Sequence, residues 1–441
     1  MRINLTDNNI GQPNAETFLR NDIAALFPIA NKSIAELCKE NENLLIYPFR
    51  IDSSEDKIGD ASIMSIINTD NPDRVYINTG NVMGFIGVGD LQIKIKSRFD
   101  TGRDDFLLHY MLQKVLSFNL FDLSHDNEQE DVFDFVMFMF PFFLKSALRQ
   151  GVYREYQNYH HNDSNLKGTI NIAQHIARNV PFVGNIAYTT REYSQDNSMT
   201  ELVRHTIEFM KTKRYGQAVL NIDKETVENV NTIVEHTPLY NRNDRGFIIS
   251  KNLRTKIHPY YTEYYPLQSL CLQILRMEEV KYGESDDEIC GILFDGAWLW
   301  EEYVNTILSK YGFVHPENKK HKGGIYLFDD HSGIRYPDFY NDKMVLDAKY
   351  KRLGSYEKVS KVDRDDVNQV IVYIKTLHSE KGGFVAPLEQ KQVKIPTSHL
   401  KDSASSLSIY GIEISKSASS YTEFCDKMGD MEKEFINSLK L

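Results

Sequence analysis

The sequence predicts an α+β chain of several domains: a β-rich N-terminal domain over 1–110, a mainly helical middle region over 111–285, and a C-terminal α/β domain with a mixed sheet over 286–441. Three observations predict it. The 441 residues exceed what one hydrophobic core usually serves. Strand-like β-branched and aromatic runs gather in the first hundred residues and again after about residue 324. Long apolar stretches with helical spacing lie between them.

In the first region, LLIYPFRI, RVYINTG and GFIGVGDLQIKIKSRF read as strands. Leu91, Ile93 and Ile95 alternate with Gln92, Lys94 and Lys96, the period of a half-buried strand. GFIGVG imitates a dinucleotide fingerprint, but no helix and acidic partner follow at the required distance. In the middle region, DFLLHYMLQKVLSF and TELVRHTIEFMKTKR read as helices. Phe135 to Leu144 is a buried helix, because Pro141 interrupts it and it is too short to span a bilayer. Tyr159, His160, His161, Asn162 and Asp163 read as a polar loop between helices, since the paired histidines lack a third metal ligand at a recognisable spacing.

The C-terminal region opens with a helix in LFDGAWLWEEYVNTILSKYGF, whose stripe is Trp300, Val304, Ile307, Leu308 and Tyr311. Strands follow at IYLF, IRYPDFY and KMVLDAKY, then a helix with the stripe Val367, Val370, Ile371 and Ile374. Gly382-Gly383 reads as its stop signal, and GGFVAPL as a closing strand.

Composition narrows the function. Four scattered cysteines form no CxxC pair, and the N-terminus lacks a signal-peptide pattern, so a reduced, cytoplasmic protein is expected. GxxxxGK[ST] is absent, so no nucleotide hydrolysis by this chain is expected. A net charge of −11 argues against unaided gripping of nucleic acid, since phosphate neutralisation supplies most non-specific affinity.

The chemistry gathers in Ile334 to Leu353, IRYPDFYNDKMVLDAKYKRL, which reads as a hairpin turning at Asn341-Asp342. Residues two apart on a strand share a face, so Asp347 and Lys349 project together, and Asp338 can meet Asp347 across the turn. Neighbouring carboxylates repel unless a cation neutralises them, and Mg²⁺ takes a few carboxylate oxygens together with substrate phosphate. An ammonium alongside can orient water and stabilise charge on phosphorus. Alone, an exposed edge-strand ion pair and a turn cap would explain the same residues.

PD-x(8)-DxK in this hairpin resembles the PD-(D/E)xK nuclease superfamily, in its DxK form. Gln369 and Tyr373, four apart on a helix face after Asp366, resemble the Q-x3-Y element of RecB-like members. Glu301 is the better match to the metal-side Glu of the first helix, with Glu302 expected to point roughly opposite. VLDAKYK and its following helix, GVYREYQ at 151–157 and LKGTINIAQHIARN at 166–179 resemble the McrC family, the endonuclease subunits of McrBC systems. The resemblance covers about 145–400, and DVNQ departs from the family's commoner aromatic or Leu before Gln.

That resemblance implies a restriction-endonuclease-like C-terminal domain that cleaves modified, methylcytosine-containing double-stranded DNA with Mg²⁺. Asp338, Asp347, the Ala348 carbonyl and Glu301 would be metal ligands, Lys349 would position water, and Gln369 and Tyr373 would support the site. It also implies docking on a McrB-like AAA+ GTPase hexamer through the N-terminal and middle regions, with Arg242, Arg245 or Arg254 acting on the GTPase. Lys349, Lys351, Arg352, Lys358, Lys361 and Arg364 are expected to contact phosphates. A RecB-like repair nuclease without a GTPase ring and a non-cleaving activator of a partner NTPase remain alternatives.

Overall fold

A computed structural model describes residues 2–9, 17–41, 44–47, 59–88, 91–100, 105–116, 132–213, 215–253, 258–281, 289–316 and 323–440. The chain divides into two compact units, residues 1–127 with 285–441, and 128–284. The first joins what sequence patterns separate into N- and C-terminal regions. The reason is one strand, Ile289–Asp295, in the segment expected to open the C-terminal helix.

That strand is β5 of a five-stranded sheet. The others are β1 (Arg2–Thr6), β2 (Leu44–Tyr47), β3 (Val82–Val88) and β4 (Leu91–Lys96), in the order β1-β4-β3-β5-β2. β5 runs antiparallel to β3 and parallel to β2. The first five residues of GFIGVG therefore lie within a buried strand, and Gly89 lies outside the described residues. Gly84, at φ +134°, lies so close to β5 that a Cβ there would sit 2.3 Å from the Ile292 carbonyl oxygen. A small antiparallel sheet of Thr17–Leu19, Arg74–Thr79 and Met64–Asn68 shares its apolar core. Helix α1 (Phe106–Leu116) completes the N-terminal part of this unit.

β5 passes directly into α2 (Gly296–Leu308), with the Asp295 carboxylate accepting the Ala297 N–H as N-cap. Trp300, Val304, Ile307 and Leu308 are buried as expected, but Tyr311 is 49% exposed. The α-helix has ended by then, in a 3₁₀ turn closed by left-handed Gly312, so the stripe rotates away.

The second large sheet has β6 (Phe339–Tyr340), β7 (Met344–Ala348), β8 (Lys381–Leu388), β9 (Thr397–His399) and β10 (Ser406–Glu413). Its order is β6-β7-β8-β10-β9, mixed, with β7, β8 and β10 parallel. β6 and β7 form the expected hairpin, pairing Phe339 with Leu346 and Tyr340 with Val345. Helix α3 (Arg364–Thr376) packs on β7 and β8, and α4 (Tyr421–Leu439) lies against β10. Gly382 and Gly383 belong to β8 and do not stop α3, which ends at Thr376. A Cβ at Gly382 would collide with Ile374, so the glycine admits the helix.

The middle unit is not purely helical. Glu155–Asp163 is a strand, paired antiparallel with Ile186–Ser194, which also pairs with Thr169–Ile170. His160 and His161 thus lie in a ladder, bonded to Thr189 and Thr190 hydroxyls, and not in a loop. Helices Val132–Leu148, Ser198–Met210, Lys224–Glu235 and Tyr264–Lys281 supply much of this unit's buried surface. Among the described residues no helix is long and apolar enough to cross a membrane.

Candidate active site

Three elements of the first unit converge at the hairpin. β7 places Asp347, nearly sealed from solvent at 1% exposure, and Lys349 follows at its end. The Lys349 ammonium lies 2.7 Å from Asp347 Oδ2 and 3.4 Å from Asp366 Oδ1. Asp338 immediately precedes β6, and its Oδ2 accepts the Ala348 backbone N–H at 2.6 Å. The three predicted groups therefore meet on one side of the hairpin.

The crowding shifts the acidity of each group. Burial drives the Asp338 carboxyl well above its usual range, and the charges of Glu301 and Asp347 push the same way. Burial likewise raises Asp347, while Lys349 pulls it back down. Burial would lower the Lys349 ammonium, but Asp347, Asp338 and Asp366 together overcome it and raise it. Glu301, on α2, is pushed up to about 8 by burial, then by Glu302 and Asp347. Glu301 thus belongs to the carboxylate group.

Glu302 does not point away as expected. His315 Nε2 lies 3.6 Å from Glu302 Oε1 and 3.9 Å from Glu301 Oε1. The His315 Nδ1 is 2.7 Å from the Asp338 carbonyl oxygen, so Nδ1 carries the proton and donates. The ring stacks on Phe339 at 5.0 Å. Sequence reading missed this histidine, since no spacing links it to the hairpin.

On α3, Gln369 Nε2 donates to the Tyr373 hydroxyl at 3.0 Å, and Tyr373 is buried. Burial raises the phenol's pKa, the Gln369 bond pulls it down, and the charges of Asp347 and Asp338 raise it further. Of the basic residues, Lys351 pairs with Asp366 at 2.6 Å and Arg352 with Glu389 at 2.9 Å. Lys358 and Lys361 are exposed, as is Arg364, which pairs with Asp365 at 3.5 Å. In the middle unit Arg242 is exposed, and the Arg245 guanidinium lies 5.1 Å over the Phe209 ring. Arg254 lies outside the described residues.

Among the described residues no three His, Cys, Asp or Glu side chains are gathered closely enough to hold a metal ion alone. One atom nevertheless fits a cation. Asp347 Oδ1 is buried and, among the described residues, no donor reaches it. A buried anionic oxygen without a donor is costly unless something positive approaches it. Two hard carboxylate ligands suit Mg²⁺, which is usually bound by one or two carboxylates.

The chain matches the description "McrBC 5-methylcytosine restriction system component" over residues 77–387, well over half its length. It belongs to that family. The McrBC-family chain is also similar to two solved structures from Thermococcus gammatolerans. One is the refined half-complex from a tetradecameric assembly of McrB AAA+ hexamers with bound McrC, at 15% identity over 98% of this chain and 100% of that one, TM-score 0.49. The other is the McrBC complex, at 16% identity over 70% and 88% of the two chains, TM-score 0.33. No curated protein matches this McrBC component.

Proposed function

We propose that this McrBC component is the McrC-like endonuclease subunit, a Mg²⁺-dependent enzyme that cleaves methylcytosine-containing DNA in defence against foreign DNA. The observation carrying this reading is the donor-free, buried Asp347 Oδ1 beside Asp338 and Lys349. The mixed sheet with its hairpin, flanked by α2 and α3, supports a PD-(D/E)xK restriction-endonuclease-like arrangement.

In this reading Asp338 and Asp347 would hold Mg²⁺ together with the Ala348 carbonyl, and Glu301 would be an extra ligand. The ion supplies charge neutralisation at the scissile phosphate and a more acidic bound water. Lys349, held at 2.7 Å by Asp347, donates to the attacking water and orients it toward phosphorus. Gln369 and Tyr373 brace that face of the site. Lys358 and Lys361 reach backbone phosphates and carry no base information.

The reading also assigns a McrB-like AAA+ GTPase ring as partner. Family membership and the absence of a P-loop in the sequence support a division of labour between chains. The acidic balance fits a partner that delivers the DNA. The middle unit offers a docking face: Ile172, Ile176, Val180, Phe182 and Val183 are all more than half exposed. Arg242, Arg245 or Arg254 would act on the GTPase; of the two described, Arg242 is exposed.

Cleavage of methylated and unmethylated plasmid, with Mg²⁺, GTP and the partner, tests the assignment. Wild type is expected to cut methylated DNA, and Lys349→Ala to lose cutting while still stimulating GTP hydrolysis. Equal cutting by both proteins overturns it.

A further inference from the structure

Tyr350 follows Lys349 directly, and residues 97–98, at the end of β4, grip it at both ends. Arg98 Nη2 donates to the Tyr350 carbonyl at 2.5 Å, and its guanidinium lies 4.5 Å over the Tyr350 ring. The phenol hydroxyl is 2.7 Å from Ser97 Oγ. Arg98 is itself held from behind. Its backbone N–H donates to Asp7 Oδ1 at 2.5 Å, its Nη1 stands 3.4 Å from Asp7 Oδ2, and its Nη2 also donates to Asn81 Oδ1 at 3.0 Å. Arg352 returns the grip, donating to the Arg98 carbonyl at 3.2 Å.

Arg98, Asp7 and Tyr350 are all buried. Burying a guanidinium is expensive, and well-packed apolar side chains would often seal such a joint at least as well. What a guanidinium adds is direction, because its planar fork fixes the angle of approach as well as the distance. The atom it directs is informative. The Lys349 N–H is already bonded to the Val385 carbonyl at 2.9 Å. With the Tyr350 carbonyl held by Arg98, the backbone bearing the Lys349 side chain is fixed on both sides.

We propose that Arg98 is a positioning residue for Lys349, a latch from the N-terminal sheet that sets where the ammonium stands between Asp347 and Asp366. It touches neither DNA nor metal and acts only through Tyr350. Lys351 and Arg352, which leave β7 just beyond the latch, inherit the same anchor. The N-terminal segment is on this account part of the catalytic apparatus. The inference rests on the endonuclease reading.

The test uses the full chain with its GTPase partner, Mg²⁺, GTP and methylated plasmid. Arg98→Gln is expected to lower kcat for cleavage about 10- to 100-fold, the scale of a small misplacement of a reacting group. KM for DNA and stimulation of GTP hydrolysis should stay at wild-type values, and Arg98→Lys, which keeps the charge but not the planar fork, should restore only a minor part of the rate. Wild-type kcat in an Arg98→Gln protein that melts normally overturns the latch. So does a loss that cleavage and GTPase stimulation share equally, since that marks a purely structural role. If Arg98→Gln fails to fold, Tyr350→Phe carries the test, because it keeps the ring under Arg98 and removes only the hydroxyl's contacts with Ser97 Oγ and Met83 Sδ. A severalfold fall in kcat is then expected, and an unchanged kcat overturns the proposal. Failure of the underlying reading looks different: Lys349→Ala would cut as well as wild type.

Discussion

Asp338 accepts the backbone N–H of Ala348 at 2.6 Å, reaching across the hairpin to the residue between Asp347 and Lys349. The bond ties two short motifs into one site, and it makes two substitutions at Asp338 separable. Asp338→Asn keeps an acceptor for the N–H but loses the charge. It should melt close to wild type and lose cleavage at least about 100-fold. Asp338→Ala removes the acceptor as well, and stranding the N–H costs about 1–3 kcal/mol in addition. Denaturant melts with plasmid cleavage assays check both; a fully active Asn variant would remove Asp338 from the site.

Asp347 makes the site a compromise between stability and chemistry. Its carboxyl is raised by burial and partly relieved by Lys349. Asp347→Asn removes a buried charge while Lys349 retains Asp366 at 3.4 Å. Metal-free Asp347→Asn is therefore expected to melt at or above the wild-type temperature, though inactive. If Mg²⁺ binds the folded site as proposed, it should raise the melting temperature of wild type and leave the variant unchanged. Equal Mg²⁺ stabilisation of both proteins would place the ion elsewhere.

His315 supports Asp338 from behind, donating from Nδ1 to its carbonyl at 2.7 Å. Residues that orient metal ligands typically matter 10- to 100-fold in affinity or activity. His315→Ala is expected to raise the Mg²⁺ concentration for half-maximal cleavage by about tenfold, with a smaller effect at saturating Mg²⁺. A titration of cleavage rate against Mg²⁺ decides it. An unchanged titration would leave His315 as packing for Phe339.

How much of this was legible follows from how local each feature is. The hairpin was, because strand alternation and the Asn341-Asp342 turn lie within twenty residues. Asp347 and Lys349 on one face, and Gln369 with Tyr373 on another, follow from spacing alone. His315 and Arg98 were not, because folding brings them to partners 23 and 252 residues away. β5 went unread, its last three residues taken into the segment that opens with the helix, because a short apolar run has no period of its own. Its neighbours in the sheet are Leu44–Tyr47 and Val82–Val88, far off in the chain. The strand Glu155–Asp163 was hidden for the opposite reason. Neither of its faces is buried, so alternation of hydrophobicity never develops.

The exposed apolar face of the middle unit should separate docking from cutting. Phe182 is 67% exposed, so Phe182→Asp should leave the melting temperature within a degree or two of wild type. If the face meets the GTPase ring, stimulation of GTP hydrolysis and ring-dependent cleavage should fall together by tenfold or more, as for a central interface residue. Undiminished stimulation would move the docking surface off this unit.

Glu201 and Asp196, also in the middle unit, make a pH prediction with a defined sign. Burial, then the Asp196 charge and the hydrogen bond they share, push the Glu201 carboxyl up to about 7. The Leu239 N–H holds Asp196 Oδ2 at 2.8 Å, so the pair cannot simply separate. A folded-state pKa above the unfolded one means that the native state binds the extra proton between about 4.5 and 7. The stabilisation is complete below that window and is lost as pH rises through about 7. Glu201→Gln keeps a donor facing Asp196 at every pH. It should melt like wild type at pH 4 and be more stable at pH 8, by about 1 kcal/mol once solvent screening of a half-exposed group is allowed for. Melting curves at the two pH values measure the difference, and a variant less stable than wild type at pH 8 would show that the two carboxyls share no proton.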